Sequence, residues 1–274
     1  MQPPDPRNPA VLAMVNTLER TEDTIIRGLV VLAILLEIVV FIEPAPVDIL
    51  LLLCLGAALI LGKLSFPSLG VLPVVALVVF AMANLVSMYD PLDPERAVWY
   101  LLVTFYLVGS WFFFVGIAGR YGKPMVATMI DTYCIAGLIS AILGIGAYFG
   151  LLPFQDQLLL AGRARGLFKD CNVYGPFFVP IVLFALTRIM DPRTLIREKI
   201  APLTVLIPSA LAILLCFSRA CWINFVLALL VFLIGQIAFP GLRSQLSLRE
   251  VRRRIALGAG ILAVGAIAPI LLNE

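Results

Sequence analysis

Long apolar runs, separated by short polar segments, recur along nearly the whole chain. Nine of these runs are long enough to cross a lipid bilayer, which takes roughly 17 to 25 residues. Backbone groups in hydrocarbon have to be hydrogen-bonded within the protein, and a single run satisfies this requirement as a helix. The nine runs are 25–42, 47–64, 69–88, 98–117, 125–149, 173–190, 201–217, 220–239 and 255–272. The pattern therefore predicts an all-α, polytopic bundle of about nine transmembrane helices.

Two prolines, Pro176 and Pro180, lie early in the sixth run. A proline inside a helix removes one backbone hydrogen bond, and its ring clashes with the preceding turn. We therefore predict a kink near the start of the sixth helix.

The composition agrees with a chain that lies mostly in lipid. Hydrophobic residues make up 62% of the sequence and charged residues 14%, whereas soluble domains have roughly 45 to 50% and about 25%. Residues 1–24 differ, because they are rich in proline and carry charges of both signs. We interpret residues 1–24 as a cytoplasmic tail and residues 25–274 as one transmembrane domain.

The distribution of lysine and arginine predicts the orientation, because short cytoplasmic loops of membrane proteins carry an excess of both. With the N-terminus in the cytoplasm, fifteen of the 20 cationic residues fall on the cytoplasmic side. The five on the outer side are Arg96, Arg163, Arg165, Lys169 and Arg219. Four of these five lie in the loop after the fifth run or the turn after the seventh, so the exceptions are concentrated.

The segment 163–175, called the basic loop below, combines cations with residues suited to binding an anion. Arg163, Arg165 and Lys169 supply positive charge, and a planar guanidinium bonds two phosphate oxygens at once. Gly166 allows close approach of the backbone. Asn172 is predicted to cap the sixth helix, whose first turn has free N–H donors. The basic loop is therefore a candidate site for a diphosphate group.

A simpler interpretation of the basic loop remains open. Asp156 and Asp170 partly neutralise its charge, and the arginine side chains can extend to lipid headgroups. Pro176 is expected in the first turn of the sixth helix, where proline is tolerated. That position suits either interpretation.

A second candidate feature is the Ser218–Arg219 pair, which joins the seventh and eighth runs. A charge at the edge of a membrane helix is a candidate for function by default. If the sixth and eighth helices are neighbours, we expect Arg219 to join the same anion site.

Other charged residues carry less information. Asp90 and Asp93 lie in an acidic, proline-rich outer loop and are candidate contacts for an acceptor's sugar hydroxyl or for a cation. A solvated turn explains that loop equally well. Glu37 and Asp131 lie within apolar runs, and we interpret them as buried hydrogen-bonded groups. No residue is assigned as catalytic.

The chain has five cysteines and no histidine. The cysteine spacing matches no metal-binding pattern, and the absence of histidine excludes a histidine-dependent nucleophile or proton relay within this chain. A disulfide between Cys171 and Cys221 stays open, because both are expected near the outer face. We assign no metal, no cofactor and no nucleic-acid partner.

Two motifs resemble those of the bacterial O-antigen ligase and polysaccharide polymerase family of polytopic glycosyltransferases. They are Arg163-x-Arg165-Gly-Leu-Phe-Lys-Asp-x-Asn172-x-x-Gly175 and Phe217-Ser218-Arg219-Ala-x-Trp222. The likeness covers roughly the fifth to ninth runs. Members of that family transfer a glycan from an undecaprenyl diphosphate carrier to lipid A core or to another repeat unit, on the periplasmic face. The resemblance therefore implies a multi-pass protein of the bacterial inner membrane.

In that family arginines are expected to bind the carrier diphosphate, and the resemblance places them at Arg163 or Arg165 and at Arg219, while Lys169 is added for its charge. The carrier diphosphate is expected to contact the cations Arg163, Arg165, Lys169 and Arg219. The expected supporting residues are Gly166, Asp170, Asn172, Gly175 and Ser218. Membrane lipid and the carrier-linked glycan are the expected partners.

The chain departs from the family pattern in two places. Cys171 stands where the family commonly has proline. Family members also continue past a helix like the ninth into a large periplasmic loop with a functionally important histidine and a further arginine, whereas this sequence stops at Glu274. We therefore expect an incomplete enzyme that is inactive alone unless a protein partner supplies the missing part.

Three alternatives stay open at this point. A polysaccharide polymerase of the same superfamily differs from a ligase only in its acceptor. A transporter of lipid-linked glycans or small anions would use the basic loop as a gate, and we expect it to have discontinuous helices or an internal repeat. A non-catalytic membrane remnant is the third.

Overall fold

A computed structural model describes residues 9–238 except 43, 68 and 192–194. The chain is mostly helical. Its α-helices are α1 (Pro9–Leu36), α2 (Pro46–Ile60), α3 (Val71–Val86), α4 (Pro94–Tyr148), α5 (Gln155–Leu158), α6 (Cys171–Phe177), α7 (Val179–Met190), α8 (Ile200–Leu215) and α9 (Arg219–Ala238). Two short strands, β1 (Leu159–Leu160) and β2 (Arg163–Ala164), and a 3-10 turn at Ile196–Lys199 complete the described elements.

The described residues divide into two compact units. The first unit contains α1, α2, α3 and the part of α4 up to Thr132. The second contains the described residues of 37–45 and those from Tyr133 onward, so it holds the whole basic loop and Arg219.

Four helical stretches of the described chain are long and apolar enough to span a membrane. They are Pro94–Tyr148, Cys171–Met190, Arg197–Leu215 and Arg219–Gln236. Pro46–Ile60 and Val71–Val86 are apolar but shorter. These helices support the prediction of a helical membrane protein. The ninth predicted run, 255–272, lies outside the described residues.

The first helix differs from its prediction at both ends. It begins at Pro9, inside the segment predicted as a tail, and ends at Leu36 instead of 42. Proline is favourable in the first turn of a helix because no intrahelical N–H bond is lost there. Beyond the helix, the chain turns, and the N–H of Val40 donates to the carbonyl of Leu167 at 3.0 Å in an isolated β-bridge with Phe168. Glu37 consequently lies just past the helix.

The fourth and fifth predicted helices fall within the single element α4. Its backbone leaves the helical conformation at Gly122, where φ is 68° and ψ is −159°. A positive φ is accessible to glycine without the Cβ clash that other residues meet. Gly122 therefore separates the two apolar runs, although no loop intervenes.

The predicted kink in the sixth run is confirmed. The helix is divided into α6 and α7 at Phe178, whose N–H reaches the carbonyls of Gly175 and Pro176. Because Pro180 has no N–H to donate to the carbonyl of Pro176, the normal bonding pattern cannot continue through this turn.

A charged cluster in the first unit connects α1, the segment after α2, and α4. The buried Lys63 ammonium lies 2.9 Å from a Glu22 oxygen and 3.2 Å from an Asp23 oxygen. The Tyr121 hydroxyl donates to Asp23 at 2.8 Å, and the Arg27 guanidinium lies 5.2 Å from the centre of the Tyr121 ring. These contacts attach α4 to α1 at Tyr121, the residue that precedes Gly122.

We expect the stability of the first unit to fall in acid through Asp23. Burial acts to raise the pKa of this carboxyl, but hydrogen bonds from Tyr121 and Lys63 together with the positive charges of Lys63 and Arg120 outweigh burial, so the pKa is lowered from its ordinary value of 3.8. A carboxyl with a lowered pKa stabilises the fold above its ordinary pKa, and that contribution is lost as pH falls through the lowered value. Thermal unfolding in detergent between about pH 5 and pH 3 measures the loss.

Two variants check that Asp23 is responsible. Asp23→Asn should remove most of the loss of stability between about pH 5 and pH 3. Tyr121→Phe should make that loss smaller, because the hydroxyl that donates to Asp23 is gone. An unchanged loss of stability in Asp23→Asn at low pH would show that another group causes the loss.

Candidate functional site

The basic loop begins in a β-hairpin. Leu159 pairs with Ala164 and Leu160 with Arg163, so only Ala161 and Gly162 form the turn. Both turn residues have positive φ, 51° and 76°, as a two-residue type I′ turn requires. The hairpin fixes where the Arg163 side chain leaves the backbone. Sequence analysis missed this hairpin, because a non-glycine residue occupies the first turn position.

The Arg163 guanidinium is partly used within the protein. Its Nε donates to the carbonyl of Cys216 at 2.9 Å, and its Nη2 lies 3.5 Å from the Asn172 side-chain oxygen. A guanidinium has five N–H donors, so donors on the Nη atoms remain available. Arg163 is half-buried, which leaves this group a partly exposed face.

Arg165 closes the loop on itself. Its Nη1 donates to the carbonyl of Lys169 at 3.3 Å, and its Nη2 donates to the carbonyl of Gln157 at 3.0 Å. Its Nε is buried and has no hydrogen-bond partner among the described residues. The structure therefore gives Arg165 a loop-holding position, while the Lys169 side chain is exposed.

The predicted cap of the sixth helix was wrong. Asp170 is the N-cap of α6, and its carboxylate accepts from the N–H of Asn172 at 2.7 Å. Asn172 instead lies inside the first turn. The same shift makes Pro176 the sixth residue of α6 rather than a first-turn residue. An ionised carboxylate is an effective N-cap acceptor, which explains why the helix starts two residues earlier than its apolar run.

Ser218 connects the two motifs directly. Its hydroxyl donates to the Asn172 side-chain oxygen at 2.7 Å and accepts from the N–H of Cys221 at 3.3 Å, which caps α9. Helices α6 and α9 are therefore in contact. They correspond to the sixth and eighth predicted runs, whose contact was the condition for Arg219 to join the anion site. Arg219 is the first residue of α9, is exposed, and makes no hydrogen bond or ion pair within the described chain.

The turn between α8 and α9 is held by aromatic residues. Phe217 has a φ of 46°, a left-handed conformation that is strained for a bulky residue. Its ring stacks on the Tyr148 ring, with 6.1 Å between the ring centres, and meets the Trp222 ring edge-on, with 6.3 Å between the centres. The Trp222 indole N–H donates to the carbonyl of Ile213 at 3.0 Å. These contacts fix the turn that presents Arg219.

Two glycines of the motifs admit close neighbours. Gly166 has a φ of 56°, and a Cβ at this position would lie 3.0 Å from the Tyr174 ring. The predicted close approach at Gly166 is thus to a side chain of the protein itself. A Cβ at Gly175 would lie 2.5 Å from the Cys216 sulfur and 2.6 Å from the Cys221 sulfur.

The cysteines at 54, 134, 171, 216 and 221 are all free thiols. The disulfide left open between Cys171 and Cys221 is not formed. The neighbour of Cys221 is Cys216, since both sulfurs adjoin the Cα of Gly175. No group of three or more potential ligands in the described part of the chain is arranged to hold a metal ion.

Asp90 and Asp93 belong to the first unit, whereas the basic loop belongs to the second. Asp93 precedes α4, accepts from the N–H of Arg96 at 3.2 Å, and pairs with the Arg96 guanidinium at 3.2 Å. Both partners are more than half exposed, so the pair adds little stability. The main local role of Asp93 is to cap α4, and its proposed acceptor contact stays a prediction.

Comparisons with known proteins do not identify the chain. No family model matches it, and no curated protein or solved structure is significantly similar to it.

Proposed function

We propose that this chain is an O-antigen ligase-like membrane glycosyltransferase of the bacterial inner membrane. In this proposal it binds undecaprenyl diphosphate-linked glycan and transfers the glycan to an acceptor on the periplasmic face. The site that binds the carrier diphosphate, formed by Arg163, Arg165, Lys169 and Arg219, is called the carrier site below. A polysaccharide polymerase of the same superfamily would use the same carrier site with a different acceptor.

The observation that carries the proposal is the Ser218–Asn172 hydrogen bond of 2.7 Å. It joins the turn that ends in Arg219 to the basic loop that contains Arg163. Arg219 is exposed, and Arg163 keeps N–H donors beyond its bond to Cys216. Two guanidinium groups with available donors suit the planar, bidentate recognition of phosphate oxygens.

Charge at this site suits the chemistry of glycan transfer. When the bond between the sugar and the diphosphate breaks, negative charge grows on the departing diphosphate. Cations and N–H donors fixed beforehand stabilise that charge in a water-poor site. In the proposal, Arg163 and Arg219 take this role, Arg165 holds the loop, and Lys169 adds charge at the rim. The residue that activates the acceptor hydroxyl stays unassigned.

We also propose nine membrane spans with a cytoplasmic N-terminus. Single cysteines introduced at Asp90 and Lys169, in a variant lacking the native cysteines, should react with an impermeant maleimide from the periplasmic side. A cysteine at Lys123 should react with the same maleimide only after the membrane is permeabilised. The reverse pattern would overturn this topology.

An anion or lipid-linked glycan transporter is the second candidate. Two helix breaks favour it, at Gly122 in α4 and at Phe178 between α6 and α7, because discontinuous helices are common at transporter sites. The glycosyltransferase remains the better-supported proposal, since it also accounts for both motifs.

Reconstituted liposomes test the proposal against this rival. The purified chain is supplied with carrier-linked glycan and either lipid A core or a second carrier-linked repeat unit. Glycan on lipid A core indicates a ligase, and an elongated glycan indicates a polymerase. Movement of trapped labelled pyrophosphate or carrier-linked glycan across the bilayer without a transfer product favours the transporter. Absence of every product while the carrier-linked glycan still binds agrees with an enzyme that is inactive alone, and absence of that binding contradicts the proposal.

A further inference from the structure

The side-chain amide of Asn172 is held in one orientation. The Ser218 hydroxyl lies 2.7 Å from its acceptor atom, and Arg163 Nη2 lies 3.5 Å from the same atom. A guanidinium offers only donors, so the atom facing it has to be the amide oxygen. The NH₂ group of Asn172 therefore points away from both partners, and the residue is exposed.

Ser218 has little freedom to reverse this arrangement. It is 2% exposed, and its oxygen accepts from the backbone N–H of Cys221 at 3.3 Å. The one hydroxyl proton is then used on Asn172. Because Arg163 already sets the amide oxygen of Asn172 towards Ser218, the hydroxyl has to donate to Asn172 while its oxygen caps α9.

We infer that the Asn172 NH₂ group donates a hydrogen bond to a phosphate oxygen bound between Arg163 and Arg219, with Ser218 as the positioning residue. This inference rests on the proposed function, since it concerns the same diphosphate. An ionised phosphate offers acceptors only. A freely rotating amide would present its own oxygen in part of the population and repel the ligand. The fixed amide removes that state before binding.

The neighbouring charges make the orientation matter more. The Asp170 carboxylate accepts from the backbone N–H of Asn172 at 2.7 Å, so one negative group already adjoins this position. A second oxygen turned towards the ligand would add to that repulsion. Asn172 thus supplies a neutral donor where a carboxylate of similar shape would oppose binding.

A mutant cycle tests the inference. The probe is undecaprenyl diphosphate in nanodiscs of zwitterionic lipid, and the measured quantity is its Kd. Asn172→Asp keeps the shape and the acceptor oxygen but loses the donor, and we expect it to weaken binding more than tenfold. Asn172→Ala and Ser218→Ala should each weaken binding about three- to tenfold.

The cycle separates positioning from a purely structural role of Ser218. If Ser218 acts through Asn172, Ser218→Ala should cause no further loss of binding in the Asn172→Ala background. If Ser218 only caps α9, its removal should cost the same in both backgrounds. Should Ser218→Ala fail to fold, the exposed Asn172 variants decide the matter alone.

The failures of the inference and of the proposed function are distinguishable. Wild-type affinity in Asn172→Asp, together with weakened binding in Arg219→Ala, would overturn the inference and leave the carrier site standing. Absence of binding by the wild-type chain would overturn the carrier site, and the role of Asn172 with it.

Discussion

Replacing Arg219 by alanine is expected to weaken undecaprenyl diphosphate binding by about 1.5 to 3 kcal/mol, roughly ten- to 150-fold in Kd. Arg219 is exposed at the start of α9 and makes no hydrogen bond or ion pair within the described chain. Its removal should leave the thermal unfolding temperature close to wild type. Titration of the carrier lipid into nanodiscs, with unfolding followed in parallel, measures both quantities.

Arg165→Ala is the matched control, because it removes the same charge from the basic loop, whereas Arg219 lies at the start of α9. Its guanidinium bonds the carbonyls of Lys169 and Gln157, so we expect a lower unfolding temperature and an indirect loss of binding. Arg219→Lys should recover only part of the affinity, because a lysine cannot make bidentate contacts. Equal Kd values for wild type and Arg219→Ala would remove Arg219 from the carrier site.

Gly175→Ala is expected to destabilise the second unit by about 1 to 3 kcal/mol or more. The new methyl group would lie 2.5 Å from the Cys216 sulfur and 2.6 Å from the Cys221 sulfur, well inside contact distance. Both sulfurs are fully buried, so the packing around α6, α8 and α9 has to move. Thermal or denaturant unfolding in detergent measures the change.

Two further variants identify the cause. Gly56→Ala is the control, since a Cβ at Gly56 in α2 meets nothing within 4 Å and alanine is a better helix former than glycine. Gly175→Ala combined with Cys216→Ala and Cys221→Ala should regain part of the lost stability, because the clashing sulfurs are gone. Wild-type stability in Gly175→Ala would contradict the close packing described here.

The helical architecture was predictable because its signal is carried by composition and length. Apolar runs predicted α2 and α3 and the start of α8 and α9 to within a few residues, and Pro176 and Pro180 predicted the break between α6 and α7. The start of α1 was missed, because the helix extends into a segment of mixed charge. The merging of two runs into α4 depends on a single glycine conformation at Gly122, which the pattern does not specify.

The candidate site was predictable as a cluster of residues but not as a geometry. Charge bias selected the basic loop and Arg219, yet the capping residue was misassigned, because Asp170 and Asn172 are both good N-caps. The loop-holding bonds of Arg165 go to backbone carbonyls, and no side-chain pattern reveals such partners. The Ser218–Asn172 bond joins residues 46 positions apart, so only the folded chain brings the two motifs together.

The most direct test of the carrier site compares undecaprenyl diphosphate with undecaprenol in nanodiscs that contain the wild-type chain. The two lipids share the same polyprenyl tail and differ only in the diphosphate. The account predicts saturable binding of the diphosphate, competition by inorganic pyrophosphate, and weaker binding as salt concentration rises. Equal binding of the two lipids would show that the tail alone is recognised and would contradict the account.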